Sequence, residues 1–251
     1  MRFLAQWKDP EPMPAPRRLA PLAILVMTVL PSPATADPGT WPASFRGAIA
    51  SPAAPALYAY DFTDRTVGDT VTVTRGRIDP SRPKGQRVTI FETTGDRDSL
   101  KRLDQRYERD ADGDIRCLRS FGGADRLVGD RPGADGERIF SFQPLPRRAA
   151  GSEEKQVYRR MSAEILVDES SGLVRSFSAS LTQPVRPFIG VNLEAMDLSG
   201  ECRPGPDGTP VLSSARTRMK GAAFGQSLSF DVVQTISNLT PVTPGPATAR
   251  N

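Results

Sequence analysis

Between Glu137 and Leu239, apolar and polar residues alternate with a period of two in six successive short runs, separated by turn residues. No run there has helical spacing. From Arg138 to Gln143, Phe140 and Phe142 share one face. From Val157 to Val167, the apolar face holds Val157, Met161, Ala163, Ile165 and Val167, with Arg160, Ser162 and Glu164 opposite. Asp168 to Gly172 supplies a hairpin loop, after which Leu173, Phe177, Ala179 and Leu181 form the next apolar face. Pro184 and Pro187 interrupt the ladder, because proline donates no backbone hydrogen bond, and a corner belongs there. Val191, Leu193 and Ala195 begin a fourth face, whose parity changes at Met196 and Leu198 as a bulge would make it. Pro206-Asp207-Gly208 and Gly225-Gln226 are turns around the run Val211 to Lys220, and Leu228, Phe230, Val232 and Ile236 close the series. One apolar and one polar face mark an antiparallel sheet, and the short connections predict a meander.

The residues upstream predict what completes and covers this sheet. Tyr58, Tyr60 and Phe62 alternate, then Val71 and Val73, then Val88 and Ile90 after the turn Asp79 to Gly85, a three-strand opening. Asp96 to Arg109 has helical spacing, with Asp96 or Asp98 as cap and Leu100, Leu103 and Tyr107 on one stripe. The fold class is therefore mainly β, an antiparallel sheet with one covering α-helix.

The first 36 residues have the form of a cleavable leader. Arg17-Arg18 precede an apolar stretch, Leu19 to Leu30, and Ala34-Thr35-Ala36 is a small-residue cleavage site. The stretch is short of the roughly 20 apolar residues of a spanning helix and contains Pro21. Export to the periplasm with cleavage near Ala36 follows, and no transmembrane anchor is expected in the mature chain. Met13 would start a more ordinary leader, and the arginine pair leaves twin-arginine export open beside the general route. Residues 37–56, rich in Pro and Ala, predict a linker or loosely docked arm that includes Phe45. Residues 57–239 form a single domain, and 240–251 a disordered tail.

Charge adds little. The leader holds four basic and two acidic residues, so the mature chain has 29 and 27, a net charge near +2. The arginines around the 79–85 turn lack stacked aromatics or helical spacing, and no nucleic-acid partner is predicted.

Candidate chemistry is sparse. The chain has no histidine, which excludes a Ser-His-Asp triad and a His-Glu-x-x-His zinc site. No phosphate loop, dinucleotide fingerprint or Gly-x-Ser-x-Gly elbow occurs. Glu164, Glu194 and Asp231 fall on polar strand faces that expose such residues anyway, and a serine-based site has no Ser-x-x-Lys spacing to support it. Glu108, Asp110, Asp112 and Gly113 match the opening of a calcium loop, but Arg119 stands where its bidentate glutamate belongs. Neither catalytic residues, a metal nor a cofactor is predicted. Cys117 and Cys202 are the only cysteines, and in an exported chain they suggest one disulfide, the alternative being two packed thiols.

The succession of strands, covering helix and long meander resembles the outer-membrane lipoprotein-sorting (LolA/LolB-like) superfamily. The resemblance lies in Ile165 to Leu173, in the Pro184 to Phe188 interruption, and in Gly221 to Gly225 with Leu228 and Phe230. It implies an unclosed β half-barrel, lidded by helices, whose concave apolar side holds acyl chains without catalysis. This chain departs from it in having one clear helix and no identifiable lipoprotein-accepting arginine. On a curved sheet, Phe140, Phe142, Phe177, Leu181, Phe230 and Val232 would face inward, either lining a cavity for a lipid or other apolar ligand or packing as a filled core. The rival function is a cell-envelope scaffold that acts on a protein partner through its surface.

Overall fold

The computed structural model describes residues 45–46, 56–95, 107–108, 111–117, 126–144 and 151–243. Among them, strands β1 (Leu57–Val67), β2 (Val71–Ile78) and β3 (Val88–Thr93) form the expected opening, and β4 (Arg126–Pro132) is a strand the alternation did not predict. The stretch after it holds β5 (Glu137–Gln143), β6 (Met161–Asp168), β7 (Leu173–Leu181), β8 (Val185–Phe188), β9 (Val191–Pro204), β10 (Pro210–Ala223) and β11 (Gln226–Val242). The order across the sheet is β3-β2-β1-β11-β10-β9-β7-β6-β5-β4, with β8 also on β9. Two meanders are thus joined where β1 pairs with β11, and the sheet is a curved half-barrel left open between β3 and β4.

A helix interrupts the second meander, where uninterrupted strands are expected. Helix α1 (Ser152–Tyr158) follows Gly151, with Glu153 and Glu154 in its first turn, where carboxylates suit the helix dipole. Val157 therefore reaches the core from a helix and not from a strand face. The Gln143 side-chain amide donates to the carbonyls of Tyr158 (3.1 Å) and Met161 (2.8 Å), tying the end of α1 to β5. Of the expected helix Asp96–Arg109, Tyr107 and Glu108 are helical, and its cap and Leu100 and Leu103 lie outside the described residues.

Bulges account for most parity differences. In β9, Lys220 faces Ala195 and Gly221 faces Leu193, so Glu194 is the extra residue and the change at Met196 is as expected. In β7, Val167 pairs with Val174 while Leu166 pairs with Ser176, so Arg175 is extra. Val174 consequently faces inward and is buried, and Leu173 does not join Phe177 on that face. In β3, Phe91 is extra opposite Arg75 and Gly76 and is turned out to solvent. Val71 is also exposed, because the inner face of β2 is Thr72, Thr74, Gly76 and Ile78. β11 continues to Val242, which pairs with Leu57, so the sheet takes in residues expected in the tail.

The proline corner has a clear geometry. β7 pairs with β9 from Asp197 to Glu201, and β8 takes over the same edge at Val191 and Leu193. Two glycines make room for aromatic rings. A Cβ on Gly200 would stand 2.5 Å from the Phe177 ring, and one on Gly76 would stand 2.7 Å from that of Phe62.

Candidate functional site

The inner face of the sheet is ordered in rows that cross the strands. One row runs Phe140, Ile165, Phe177, Gly200, Ala215, Gln234, Asp64, Thr74 and Thr93. The next runs Phe142, Ala163, Ala179, Leu198, Thr217, Val232, Thr66 and Thr72. A further pair of matches sets Met161 beside Leu181, and Met196 beside Met219 and Phe230. The six residues expected to face inward are all within these rows. The first two rows are apolar on β5 to β9 and become polar towards β1 and β2, where the neighbouring Tyr60, Phe62 and Ile78 form a second buried apolar cluster with Tyr107 and Ile115.

The apolar side is filled at its centre. Phe140, Phe142, Met161, Ile165 and Phe177 are buried with Val157 of α1. Phe45, which composition places in the arm before the domain, is 1% exposed. Its ring lies 5.1 Å from that of Phe140 and 5.0 Å from that of Phe142, centre to centre. Leu181, Leu228 and Phe230 differ: they pack against this cluster but stay half-buried. They stand towards the end of the sheet reached by the β8–β9 and β10–β11 turns.

The polar side is buried as well. Asp64, Thr74 and Thr217 are 4%, 3% and 5% exposed. The Tyr107 hydroxyl donates to the Asp64 carboxylate, and the Tyr107 and Phe62 rings are 4.5 Å apart. Thr74 and Thr93 share a hydroxyl hydrogen bond of 3.2 Å. A carboxylate taken out of water needs a donor, and the Tyr107 hydroxyl supplies one.

A strap made of residues 111–117 links the two sides. Tyr58 donates its backbone N–H to Gly113 (3.0 Å), Leu212 donates to Ile115 (2.9 Å), and Arg116 bridges to Val211. Cys117 is joined to Cys202 of β9 with the Cα atoms 5.8 Å apart, which selects the disulfide over two packed thiols. At the same end, the Tyr58 hydroxyl donates to Asp207 in the β9–β10 turn at 2.7 Å. Burial, together with this carboxylate, pushes the Tyr58 phenol up to about 12.

The other candidates within the described residues have structural roles, and Asp110 and Arg119 of the calcium-loop match lie outside them. Glu108 accepts the backbone N–H groups of Gly85 (2.9 Å) and Val88 (2.8 Å), pinning the 79–85 turn and β3. Asp112 accepts from the Asp114 backbone at 3.1 Å, and Asp114 holds Arg116 at 2.7 Å. Glu164 pairs with Arg131 at 3.0 Å, and Glu194 faces Lys220 at 3.6 Å. Asp231 is bound by Arg216, whose hydrogen bonds hold its carboxyl below the usual range despite partial burial. In the basic rim, Arg75, Arg77 and Arg82 pair with Glu92, Asp61 and Asp79. These pairs are spread over the outer face and do not converge on one point.

Comparison with known proteins adds one structural likeness. No family model and no curated protein matches the chain. The crystal structure of a LolA superfamily protein from Nitrosomonas europaea matches over 80% of this chain and 92% of that one, at 13% identity and a TM-score of 0.36. At such distance, function rests on this chain's own residues.

Proposed function

We propose that this protein binds a lipid or other apolar ligand on the concave face of its half-barrel and catalyses no reaction. The supporting observation is the unequal cover of the apolar rows. Phe140 and Phe142 lie under Phe45, whereas Leu181, Leu228 and Phe230 keep apolar surface open at one end. Apolar surface that stays partly wetted on a rigid sheet gains by covering, at about 25 cal/mol per Å². Phe177 and Val232 flank this region as buried supports rather than as direct contacts. The site belongs to a single β-rich domain, delivered to the periplasm after a leader ending near Ala36.

A second reading is favoured by the seating of Phe45. If a docked arm fills the face completely, the fold serves as an envelope scaffold that meets protein partners. Native mass spectrometry of the protein exported to and purified from a bacterial periplasm separates the two, followed by solvent extraction of bound species. The ligand reading expects a reproducible lipid adduct that denaturation releases. A clean apo mass, with no uptake of added phospholipid, overturns it. The same mass reports cleavage near Ala36.

A further inference from the structure

Inward of the open apolar end, the concave face carries a buried hydroxyl with nothing to bond. Thr217 of β10 stands between Leu198 of β9 and Val232 of β11, both buried. It is 5% exposed, and among the described residues its side chain has no hydrogen-bond partner. A hydroxyl in that state lowers stability, because its water is lost and nothing replaces it. Valine would fill the same space among these apolar neighbours without that loss. A threonine here therefore asks for a partner from outside the fold.

The surroundings say what kind of partner suits it. Gln234 lies diagonal to Thr217 across the β10–β11 pair, and among the described residues its side chain also makes no hydrogen bond. The diagonal spacing of roughly 7–8 Å lets one small group meet both side chains, each of which can donate and accept. No lysine or arginine stands in the rows of the inner face, and their one charged residue is Asp64, opposite Gln234. Thr217 is four residues from Gly221 on β10, roughly 14 Å at 3.4 Å per residue. Along that length β11 lays out Val232, Phe230 and Leu228 on the same face, leading to the open end.

We infer that the concave face takes an uncharged amphiphile whose hydroxyl is bound at Thr217 and Gln234. Its hydrocarbon chain runs out over Phe230 and Leu228, and a long-chain alcohol is the simplest member of the class. The inference rests on the apolar-ligand reading and adds to it a choice of headgroup. A carboxylate or phosphate placed at Thr217 loses its water, meets no cation and shares the face with the Asp64 carboxylate. An anionic lipid with the same chain binds the other way round, its charge left in water at the open end and Thr217 unbonded. Chain burial is common to both, so the headgroup hydrogen bond makes the difference.

Displacement of Nile red from the purified protein by decanol and by decanoate, at neutral pH, tests this. The wild type should bind decanol about tenfold tighter than decanoate, the effect of roughly one hydrogen bond. Thr217→Val keeps the shape of the side chain, so it should melt no lower than the wild type and bring the two affinities within about twofold of each other. Equal affinities in the wild type, or an undiminished preference in Thr217→Val, overturn the inference and leave the apolar-ligand reading standing. A variant that melts well below the wild type also overturns it, by showing that the hydroxyl is bonded within the fold. Failure of Nile red, decanol and decanoate alike to bind overturns the apolar-ligand reading, and the inference with it.

Discussion

The two halves of the concave face share a sheet, a curvature and a row geometry, yet they solve burial differently. On β5 to β9 the inner residues are Phe, Ile, Leu, Met and Ala, closed over by Phe45 and α1. On β1 and β2 they include Asp64, Thr66, Thr72 and Thr74, with the Tyr107 hydroxyl bound to the carboxylate. An apolar face accepts any cover of the right shape, whereas a polar one demands particular donors and acceptors. The polar positions around Asp64 are therefore committed to particular partners, although Phe62 and Ile78 beside them belong to a second buried apolar cluster. At Leu181, Leu228 and Phe230, towards one end of the sheet, apolar surface is left partly open.

The largest effect is expected at the join between the halves. Reducing the Cys117–Cys202 disulfide, or replacing both cysteines by serine, frees an 85-residue separation and should cost about 4–5 kcal/mol in a denaturant titration. A loss confined to a few tenths would mean that the strap is held by Tyr58, Ile115 and Val211 alone. On the apolar half, Phe140→Ala should cost about 3–5 kcal/mol and release Phe45, detected as new proteolysis near that residue. If Phe45 stayed protected, its seat would depend on Phe142 alone. On the polar half, Thr74→Val removes one hydroxyl from the pair with Thr93 and should cost about 1 kcal/mol. An equal cost for Phe140→Ala and Thr74→Val would erase the distinction between the halves.

The smallest effect is a pH dependence. The Tyr58 phenol has its pKa raised from 10.0 to about 12 in the folded protein. Its contribution is fully present below the unfolded value and is lost as pH rises from there through the folded value. Stability should thus fall between about pH 10 and 12, and Tyr58→Phe should flatten that part of the curve. Identical alkaline slopes for the two proteins would contradict the bond to Asp207.

Much of this architecture was legible in the alternation of residues. The inner faces of β5, β6 and β11, the Glu194 bulge and the corner at Pro184 all follow from parity and proline chemistry. Arg175 was not legible as a bulge, because Leu173 and Val174 are both apolar and either could face inward. Helix α1 is seven residues long, too short to display a period, and its Val157-Tyr158 end reads equally well as the start of a strand. Strand β4 carries Gly129, Pro132 and charged residues, the composition of an edge that resists pairing, which hides it from a search for alternation. The inward set Phe140, Phe142, Phe177, Leu181, Phe230 and Val232 was legible as a face, but its division into covered and open parts was not. That division depends on Phe45, nearly a hundred residues away in sequence, for which an isolated aromatic in a Pro/Ala-rich run was the one available signal. The polar half escaped notice for the same kind of reason, since threonine at inner positions of β2 reads as an outer face.

The most direct measurement is the binding of a fluorescent fatty acid to the purified protein and to its Leu228→Gln/Phe230→Gln variant, with thermal unfolding of both. The account predicts saturable binding to the wild type, at least tenfold weaker in the variant, with both proteins folded, because Leu228 and Phe230 are only half-buried in the free protein. Undiminished binding by the variant, or none by the wild type, would contradict it and leave a filled half-barrel that acts through its surface.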